Sequence, residues 1–270
     1  MLLASRQWQF QVDMSEPSYF DVAREAALEA GDILLAGLEG EFEIFKKGLV
    51  NLVTEIDFKA ENAILERIRR HFPGHEILCE EQGLLKGAAE YRWIVDPLDG
   101  TINYSHHYPC FCVSIALEIR GNVALGVVYN PVSREMFTAQ AGEGAFLNDR
   151  PIKVSASETM IDSLLCTGFS YDREQVKKNL AHFDKASMTA QATRRDGSAA
   201  LDICFVACGR FDGFWELTLH PWDVAAAELI LAEAGGRVTD FRGEPCTHYE
   251  AAIVASNGRI HAAIVDMLAG

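Results

Sequence analysis

Apolar residues recur at helical spacing near the start of the chain. Within residues 19–38 the side chains of Phe20, Ala27 and Leu34 fall on one face of an α-helix. Residues 52–57, LVTEID, then end in a Thr-x-x-Asp pattern that is typical of a helix-capping box, and an apolar stripe at helical spacing follows. The pattern therefore predicts two helices ahead of the first buried strands.

Apolar segments with β character come next. Residues 76–81 and 91–96 each predict a short buried strand, and residues 110–155 hold β segments separated by turn residues, which is typical of an antiparallel meander. Beyond Ser155 strands and helices alternate to the end of the chain, and this alternation predicts α/β layering. We therefore expect an α/β protein with an α+β N-terminal part that contains an antiparallel sheet and an α/β C-terminal part.

The change of pattern near residue 155 predicts two subdomains. The first covers residues 18–155 and the second residues 156–270, while residues 1–17 form a leader without a regular pattern. No linker rich in Pro, Gly or Ser separates the two parts, so we expect them to pack tightly and to complete one site between them.

Composition narrows the class of protein. With 270 residues and 49% hydrophobic content the chain can bury a sizeable core, and no run approaches the ~20 apolar residues of a membrane span. The N-terminus lacks the pattern of a secretion signal. Seven cysteines without a C-x-x-C pair, mostly in apolar surroundings, favour free thiols in a reducing compartment. We expect a cytoplasmic protein with no membrane partner.

The charge balance restricts the partners further. The 39 acidic and 24 basic residues give a formal net charge of −15, which disfavours nucleic acid and anionic membranes as main partners. An anionic substrate must then be received by a local positive feature, and a bound metal ion would supply one.

The segment WIVDPLDGTINY, residues 93–104, carries the chemistry that needs explaining. A hydrophobic strand here delivers Asp96 and Asp99 to its carboxyl end, which is a common way to build a site on a rigid base. Gly100 lets the chain turn, so that its amide and that of Thr101 can point at a ligand from the start of a short helix. The aspartates favour a cation and the amides favour an anion; the Thr101 hydroxyl also fits a helix cap.

Further acids are expected near the same place. They are Glu80 and Glu81 after the preceding strand, Asp57 in LVTEID and Asp223 in HPWDVAAAE. Taken singly, Asp57 and Asp223 also fit acids at helix N-termini, and the glutamates fit a solvated turn. Several buried carboxylates stay ionised together only when cations neutralise them, and oxygen ligands near a phosphate favour Mg²⁺ over zinc.

Five ordered blocks of the chain are similar to one family. They are LVTEID, the Glu80-Glu81 pair, residues 96–117, residues 197–216 and residues 220–236. Together they resemble the inositol monophosphatases, members of a superfamily of magnesium-dependent, lithium-sensitive phosphatases. The resemblance extends from about residue 20 to the C-terminus. It implies a layered αβαβα sandwich of the inositol monophosphatase and fructose-bisphosphatase type, and a homodimer.

The resemblance also implies roles for particular residues. Two or three Mg²⁺ ions per site would be bound by Glu80, Asp96, the carbonyl of Leu98, Asp99 and Asp223, with Asp57 serving a weaker ion. Asp57 and Thr101 would orient the attacking water, and Glu80 would act in catalysis by bridging metals. The substrate would contact Asp99, Gly100, Thr101, Gly197, Ser198, Ala199, Glu216 and Asp223. The expected activity is hydrolysis of inositol monophosphate or a similar small polyol or sugar phosphate.

Alternative functions remain open at this point. Relatives in the superfamily act on fructose 1,6-bisphosphate, histidinol phosphate or 3′-phosphoadenosine nucleotides. A non-catalytic metal-binding regulatory protein could use the same fold. Phosphatases of the haloacid-dehalogenase type form an aspartyl-phosphate on Asp-x-Asp-Gly-Thr, but here two residues separate Asp96 from Asp99, which disfavours that route.

Overall fold

The computed structural model describes residues 17–40, 42–46 and 52–269. Most of the expected leader, residues 1–16, lies outside these ranges. A 3₁₀ turn covers Met160–Asp162. The α-helices are α1 (Tyr19–Leu38), α2 (Glu55–His71), α3 (Thr101–Ser105), α4 (Arg173–Thr189), α5 (Ala199–Ala207), α6 (Pro221–Glu233) and α7 (His261–Ala269).

The strands form one large sheet, one smaller sheet and a short hairpin. Their bounds are β1 (Ile44–Lys46), β2 (Leu52–Thr54), β3 (His75–Cys79), β4 (Gly83–Leu85), β5 (Ala88–Asp99), β6 (Cys112–Ile119), β7 (Asn122–Asn130), β8 (Glu135–Gln140), β9 (Gly144–Leu147), β10 (Arg150–Pro151), β11 (Leu164–Thr167), β12 (Ala192–Arg194), β13 (Gly213–Leu217), β14 (Arg237–Thr239) and β15 (Ala252–Ser256).

The first sheet has eight strands in the order β10-β9-β8-β7-β6-β5-β3-β4. Neighbours from β5 to β10 are antiparallel, which confirms the meander predicted for residues 110–155, whereas β3 and β5 run parallel. Because β3 and β5 are parallel neighbours, their carboxyl ends lie at the same edge of the sheet. The residues that follow both strands therefore meet at that edge.

Helices α1 and α2 cover one face of this sheet. Their apolar stripes pack against inward-facing strand residues such as Trp93, Val95 and Val127. Helix α2 begins at the predicted capping box: Thr54 Oγ1 accepts from the amide of Asp57 at 3.4 Å, and the Thr54 amide donates to Asp57 Oδ2 at 2.9 Å. The Thr-x-x-Asp pattern was therefore a correct helix-start signal.

The second sheet has five strands in the order β12-β11-β13-β15-β14. Strand β11 runs parallel to β12 and β13, whereas β15 runs antiparallel to β13 and β14. The alternation of strands and helices predicted after Ser155 is confirmed, but alternation alone does not reveal the reversed direction of β15. The predicted division at residue 155 falls in the connection between the two sheets, and the description as two subdomains stays a prediction.

Helices α5 and α6 lie between the two sheets, and α4 and α7 cover the outer face of the second sheet. Helix α6 approaches β7 so closely that a Cβ at Gly126 would lie 2.5 Å from the carbonyl oxygen of Ala226. The layers therefore follow the order αβαβα, as the resemblance implied. None of the helices in the described ranges is long and apolar enough to cross a membrane.

Candidate active site

A cavity of about 470 Å³ lies at the carboxyl ends of β3 and β5. It contains all the predicted site residues except Asp57 and Ser198, which contact residues that line it. The predicted residues in its wall are Glu80, Asp96, Leu98, Asp99, Gly100, Thr101, Gly197, Ala199, Glu216 and Asp223. Folding thus brings together acids that are far apart in the sequence.

The end of β5 is irregular in a way that directs two carboxylates to one place. Asp96 pairs with Ser114 and Asp99 with Cys112, so the register shifts between the two aspartates. The Leu98 amide donates to Asp96 Oδ1 at 2.9 Å, which closes the segment around Pro97. Such a bulge re-aims side chains at the end of a strand, and both acids reach the cavity.

Gly100 makes the turn that follows. Its φ of 96° lies in the left-handed region, and a Cβ there would stand 2.9 Å from the carbonyl oxygen of Cys110. Gly100 is also the N-cap of α3, and Thr101 is the first helical residue. The idea that the Thr101 hydroxyl caps this helix is therefore wrong. Its Oγ1 instead lies 3.1 Å from the Leu98 carbonyl oxygen and 3.3 Å from Asp57 Oδ1.

Asp57 lies behind Thr101 at the start of α2 and is fully buried. Thr54 holds its Oδ2 through the backbone amide at 2.9 Å and the hydroxyl at 2.5 Å, which leaves Oδ1 facing Thr101. Burial raises the pKa of Asp57 to about 6, against the lowering effect of the Thr54 hydrogen bonds; the nearby charge of Glu80 raises it further. The Asp57 carboxylate, whose pKa is raised, is therefore connected to the edge of the cavity through the Thr101 hydroxyl.

Asp99 is held by the segment that begins α5. Ser198 Oγ donates to Asp99 Oδ2 at 2.6 Å, and the Ala200 amide donates to the same oxygen at 2.8 Å. Burial raises the pKa of Asp99 to about 6, and the Ser198 hydrogen bond opposes that rise. Ser198 was predicted to contact substrate, but its hydroxyl is directed at Asp99 and its side chain is buried.

Asp223 has two roles that the sequence offered as alternatives. It lies in the first turn of α6, where its Oδ2 accepts from the His220 amide at 2.7 Å, and it also lines the cavity. Burial holds its pKa well above the usual range, and the charge of Asp99 adds to that effect. Asp223 thus caps the N-terminus of α6 and also places a carboxyl group in the cavity wall.

Glu216, on β13, lies over a glycine that has no room for a side chain. A Cβ at Gly168 would stand 2.0–2.2 Å from the Glu216 carboxylate atoms. Burial raises the pKa of Glu216 well above its usual range, with further contributions from Asp202 and Asp99. A hydroxyl group of a ligand would relieve this carboxylate by donating to it.

Part of the wall was not expected from the sequence. Residues 168–172, which follow β11, and Arg195 also line the cavity. No site residue was predicted in this loop, because a polar segment after a strand resembles any other connection. Arg195 could have been predicted, because it stands two residues before Gly197, which was itself a predicted site residue.

The electrostatics of the cavity favour a bound cation. Burial, followed by the charges of Glu80, Asp99 and Asp223, holds the pKa of Asp96 well above its usual range. A bound cation would neutralise these carboxylates and restore their ionised forms. The potential ligands in this part of the wall are carboxylate and carbonyl oxygens, and this donor set fits Mg²⁺.

A layered αβαβα fold with an acid-lined cavity at the strand ends is the architecture that the resemblance to the metal-dependent phosphatase superfamily implied. The sequence profile of the inositol monophosphatase family matches residues 16–269, and the chain belongs to that family. This finding confirms the resemblance that the five ordered sequence blocks indicated.

Individual relatives agree with this assignment. The chain is 44% identical over 255 residues to a Synechocystis protein named inositol-1-monophosphatase, covering 93% of this chain and 89% of that protein. It is 40% identical to the Escherichia coli protein named Nus factor SuhB, covering 89% and 91% of the two chains. The solved structure of inositol monophosphatase from Anabaena superposes with a TM-score of 0.85 at 47% identity, covering 93% of this chain and 95% of that one.

Proposed function

We propose that this chain hydrolyses the phosphate monoester of inositol, or of a similar small polyol or sugar, in a magnesium-dependent reaction. One observation carries the proposal: acids from the ends of β3 and β5 and the start of α6 line one cavity with Gly100 and Thr101. Buried acids that raise one another's pKa form a site for cations, and cations are what a phosphate dianion needs.

The proposed metal ligands are the acids that share the cavity. They are Glu80, Asp96, the carbonyl of Leu98, Asp99 and Asp223, with Asp57 near a further, weaker position. Magnesium bound there would polarise the phosphate oxygens, lower the pKa of a bound water and stabilise the departing alkoxide. Two or three ions per site are expected from the family resemblance.

The side chains beside the metal ligands would prepare the water. Thr101 Oγ1, which lies between the Leu98 carbonyl and Asp57 Oδ1, can accept a hydrogen bond from water and hold it at the cavity edge. Asp57, with a pKa near 6, can accept the proton that the water releases. No side chain needs to act as nucleophile, and a phosphorylated Asp96 trapped after mixing with substrate would contradict this route.

Other residues of the cavity wall would recognise the alcohol. Glu216 is a buried acceptor placed over Gly168, so it is suited to hydroxyl groups of a polyol. Gly197 and Ala199 line the same cavity, and Gly100 and Thr101, which also line it, would offer their amides to the phosphate. A cytoplasmic location, a homodimer and lithium sensitivity stay predictions.

A panel of phosphomonoesters tests this proposal. Phosphate release would be measured from inositol 1-phosphate, fructose 1,6-bisphosphate, histidinol phosphate, a 3′-phosphoadenosine nucleotide and an aryl phosphate, with and without Mg²⁺ and Li⁺. We expect magnesium-dependent, lithium-inhibited hydrolysis with the highest kcat/KM on inositol 1-phosphate. Glu216→Gln should raise KM for inositol 1-phosphate and spare the aryl phosphate; an equal loss on both would contradict its role in recognition.

The second candidate function is regulatory and does not use catalysis. The observation in its favour is the name Nus factor SuhB, which a relative 40% identical to this chain carries. A folded preparation that releases no phosphate from any ester of the panel in the presence of Mg²⁺ would favour this candidate.

A further inference from the structure

A second group of potential metal ligands lies outside the proposed magnesium site. Cys166 Sγ and one carboxylate oxygen each of Asp196 and Asp202 all lie within 4.8 Å of one another. Cys166 comes from β11, Asp196 follows β12, and Asp202 is in the first turn of α5. Among the described residues this is the one group of three or more His, Cys, Asp or Glu side chains that is so compact.

The buried carboxylate of Asp202 lacks hydrogen bonds that would compensate for its burial. Its side chain is only 1% exposed, and neither carboxylate oxygen has a hydrogen-bonding partner within the described ranges. A buried ionised carboxylate without a well-formed hydrogen bond is strongly unfavourable, because the neighbouring thiol is a weak donor and replaces little of the lost hydration. Such a group either keeps its proton or binds a cation.

The surrounding charges favour a cation. Burial holds the pKa of Asp202 well above its usual range against the lowering effect of the neighbouring Cys166 thiol; Asp196 and Asp99 raise it further, and Arg195 opposes them. The carboxyl group of Glu216 lies close enough for Asp202 to raise its pKa. Two guanidinium groups, those of the exposed Arg194 and Arg195, thus face a larger number of carboxyl groups, which leaves this part of the molecule short of positive charge.

We propose that Cys166, Asp196 and Asp202 bind a divalent cation of borderline softness, with zinc as the representative ion. A thiolate with two carboxylates suits zinc and not magnesium, which prefers oxygen ligands alone. Tetrahedral zinc places such ligand atoms about 3.5 Å apart, so small side-chain rotations from the observed positions suffice. Binding displaces the Cys166 thiol proton to solvent.

The site has an entrance and an open coordination position. Asp196 is only partly buried, so an ion can arrive from its side, and three protein ligands leave the fourth position for water. The site differs from the proposed magnesium cluster in its residues and in its sulfur ligand. Its occupancy can therefore be measured without any hydrolysis and independently of the proposed phosphatase activity.

Cobalt(II) is the best probe, because a thiolate ligand gives it a near-ultraviolet charge-transfer absorption that oxygen ligands do not. The intact protein would be titrated with Co²⁺ at saturating Mg²⁺, which occupies the oxygen-ligand cluster. We expect the absorption to reach its limit at one Co²⁺ per chain and to disappear when Zn²⁺ is added. A folded wild-type protein that shows no such absorption would overturn the proposal.

Variants assign the absorption to these residues. Cys166→Ser should abolish it, and Asp202→Asn should weaken Co²⁺ binding at least about tenfold. Cys110→Ser is the matched control, because Cys110 is another thiol close to Asp196 and Asp202 and is outside the group of three. If Cys166→Ser does not fold, Asp202→Asn still decides: unchanged Co²⁺ affinity in that variant, or loss of the absorption in Cys110→Ser, would refute the assignment.

Discussion

Replacing Ser198 with Ala should change how magnesium activates the enzyme as a function of pH. Ser198 Oγ donates to Asp99 Oδ2 at 2.6 Å, and the Ala200 amide remains as a second donor after the replacement. Ser198 is the N-cap residue of α5, but its side chain makes no capping hydrogen bond. The substitution should therefore leave the helix intact and act on Asp99.

The size of the effect follows from proton competition. The pKa of Asp99 is raised to about 6 by burial and is held down by Ser198. A hydrogen bond to a charged group contributes about 1.5–3 kcal/mol, so its loss should raise this pKa by about 1–2 units. Magnesium requires the ionised form, so the magnesium concentration for half-maximal activity should rise about 2- to 10-fold at pH 7 and about 5- to 50-fold at pH 6. Above about pH 9 the two proteins should converge.

Initial rates against magnesium concentration at several pH values measure this effect. Ser114→Ala is the control, because its buried hydroxyl donates to the carbonyl of Trp222 rather than to a carboxylate. An unchanged magnesium requirement at pH 6 would refute the reasoning. A loss of equal size at every pH would show that Ser198 acts on the substrate or the ion directly.

Three further predictions concern Gly168, Glu228 and Asn179. Gly168→Ala should displace the Glu216 carboxylate and raise KM for inositol 1-phosphate about tenfold, whereas Gly74→Ala, where a Cβ would meet nothing within 4 Å, should leave kinetics unchanged. Burial raises the pKa of Glu228 from 4.5 to about 8, so wild-type stability should fall as pH rises between these values, and Glu228→Gln should flatten that dependence and be more stable at pH 8 in thermal melts. Asn179→Ala removes a buried acceptor and two donated hydrogen bonds between α4, β11 and β13, and should lower the free energy of unfolding by about 2–4 kcal/mol in denaturant titrations.

Each of these has a contrary outcome. Equal kinetics for the two glycine variants would show that the Glu216 carboxylate does not depend on the absence of a side chain at residue 168. A Glu228 variant that melts below wild type at pH 8 would show that the carboxylate is stabilised by something other than its proton. Wild-type stability in the Asn179 variant would mean that solvent replaces the lost bonds.

The helices and most strands could be predicted because their signals are local. The capping box of Thr54 and Asp57 marks the residue at which α2 begins, and the structure forms it as predicted. The direction of β15 could not be predicted, because pairing depends on where the chain returns and not on the residues of the strand. Periodicity identifies elements, while their directions in a mixed sheet are set by packing.

The acids of the site could be predicted because carboxylates are costly to place beside buried apolar residues. Asp96 and Asp99 directly follow an apolar strand, where carboxylates are unexpected unless a ligand needs them. The support for these acids could not be predicted: that Ser198 holds Asp99, and that Gly168 makes room for Glu216, depends on contacts between distant segments. The same is true of Cys166, Asp196 and Asp202, whose spacing along the chain matches no metal motif.

The most direct test of the central claim compares Asp96→Asn with wild type in two measurements on one preparation. The substitution removes a buried negative charge without changing the shape of the side chain, so the fold should persist. We expect magnesium to raise the melting temperature of wild type but not of the variant, and magnesium-dependent hydrolysis of inositol 1-phosphate to be lost in the variant. An Asp96→Asn protein with near wild-type turnover and the same magnesium-induced rise in melting temperature would contradict the account.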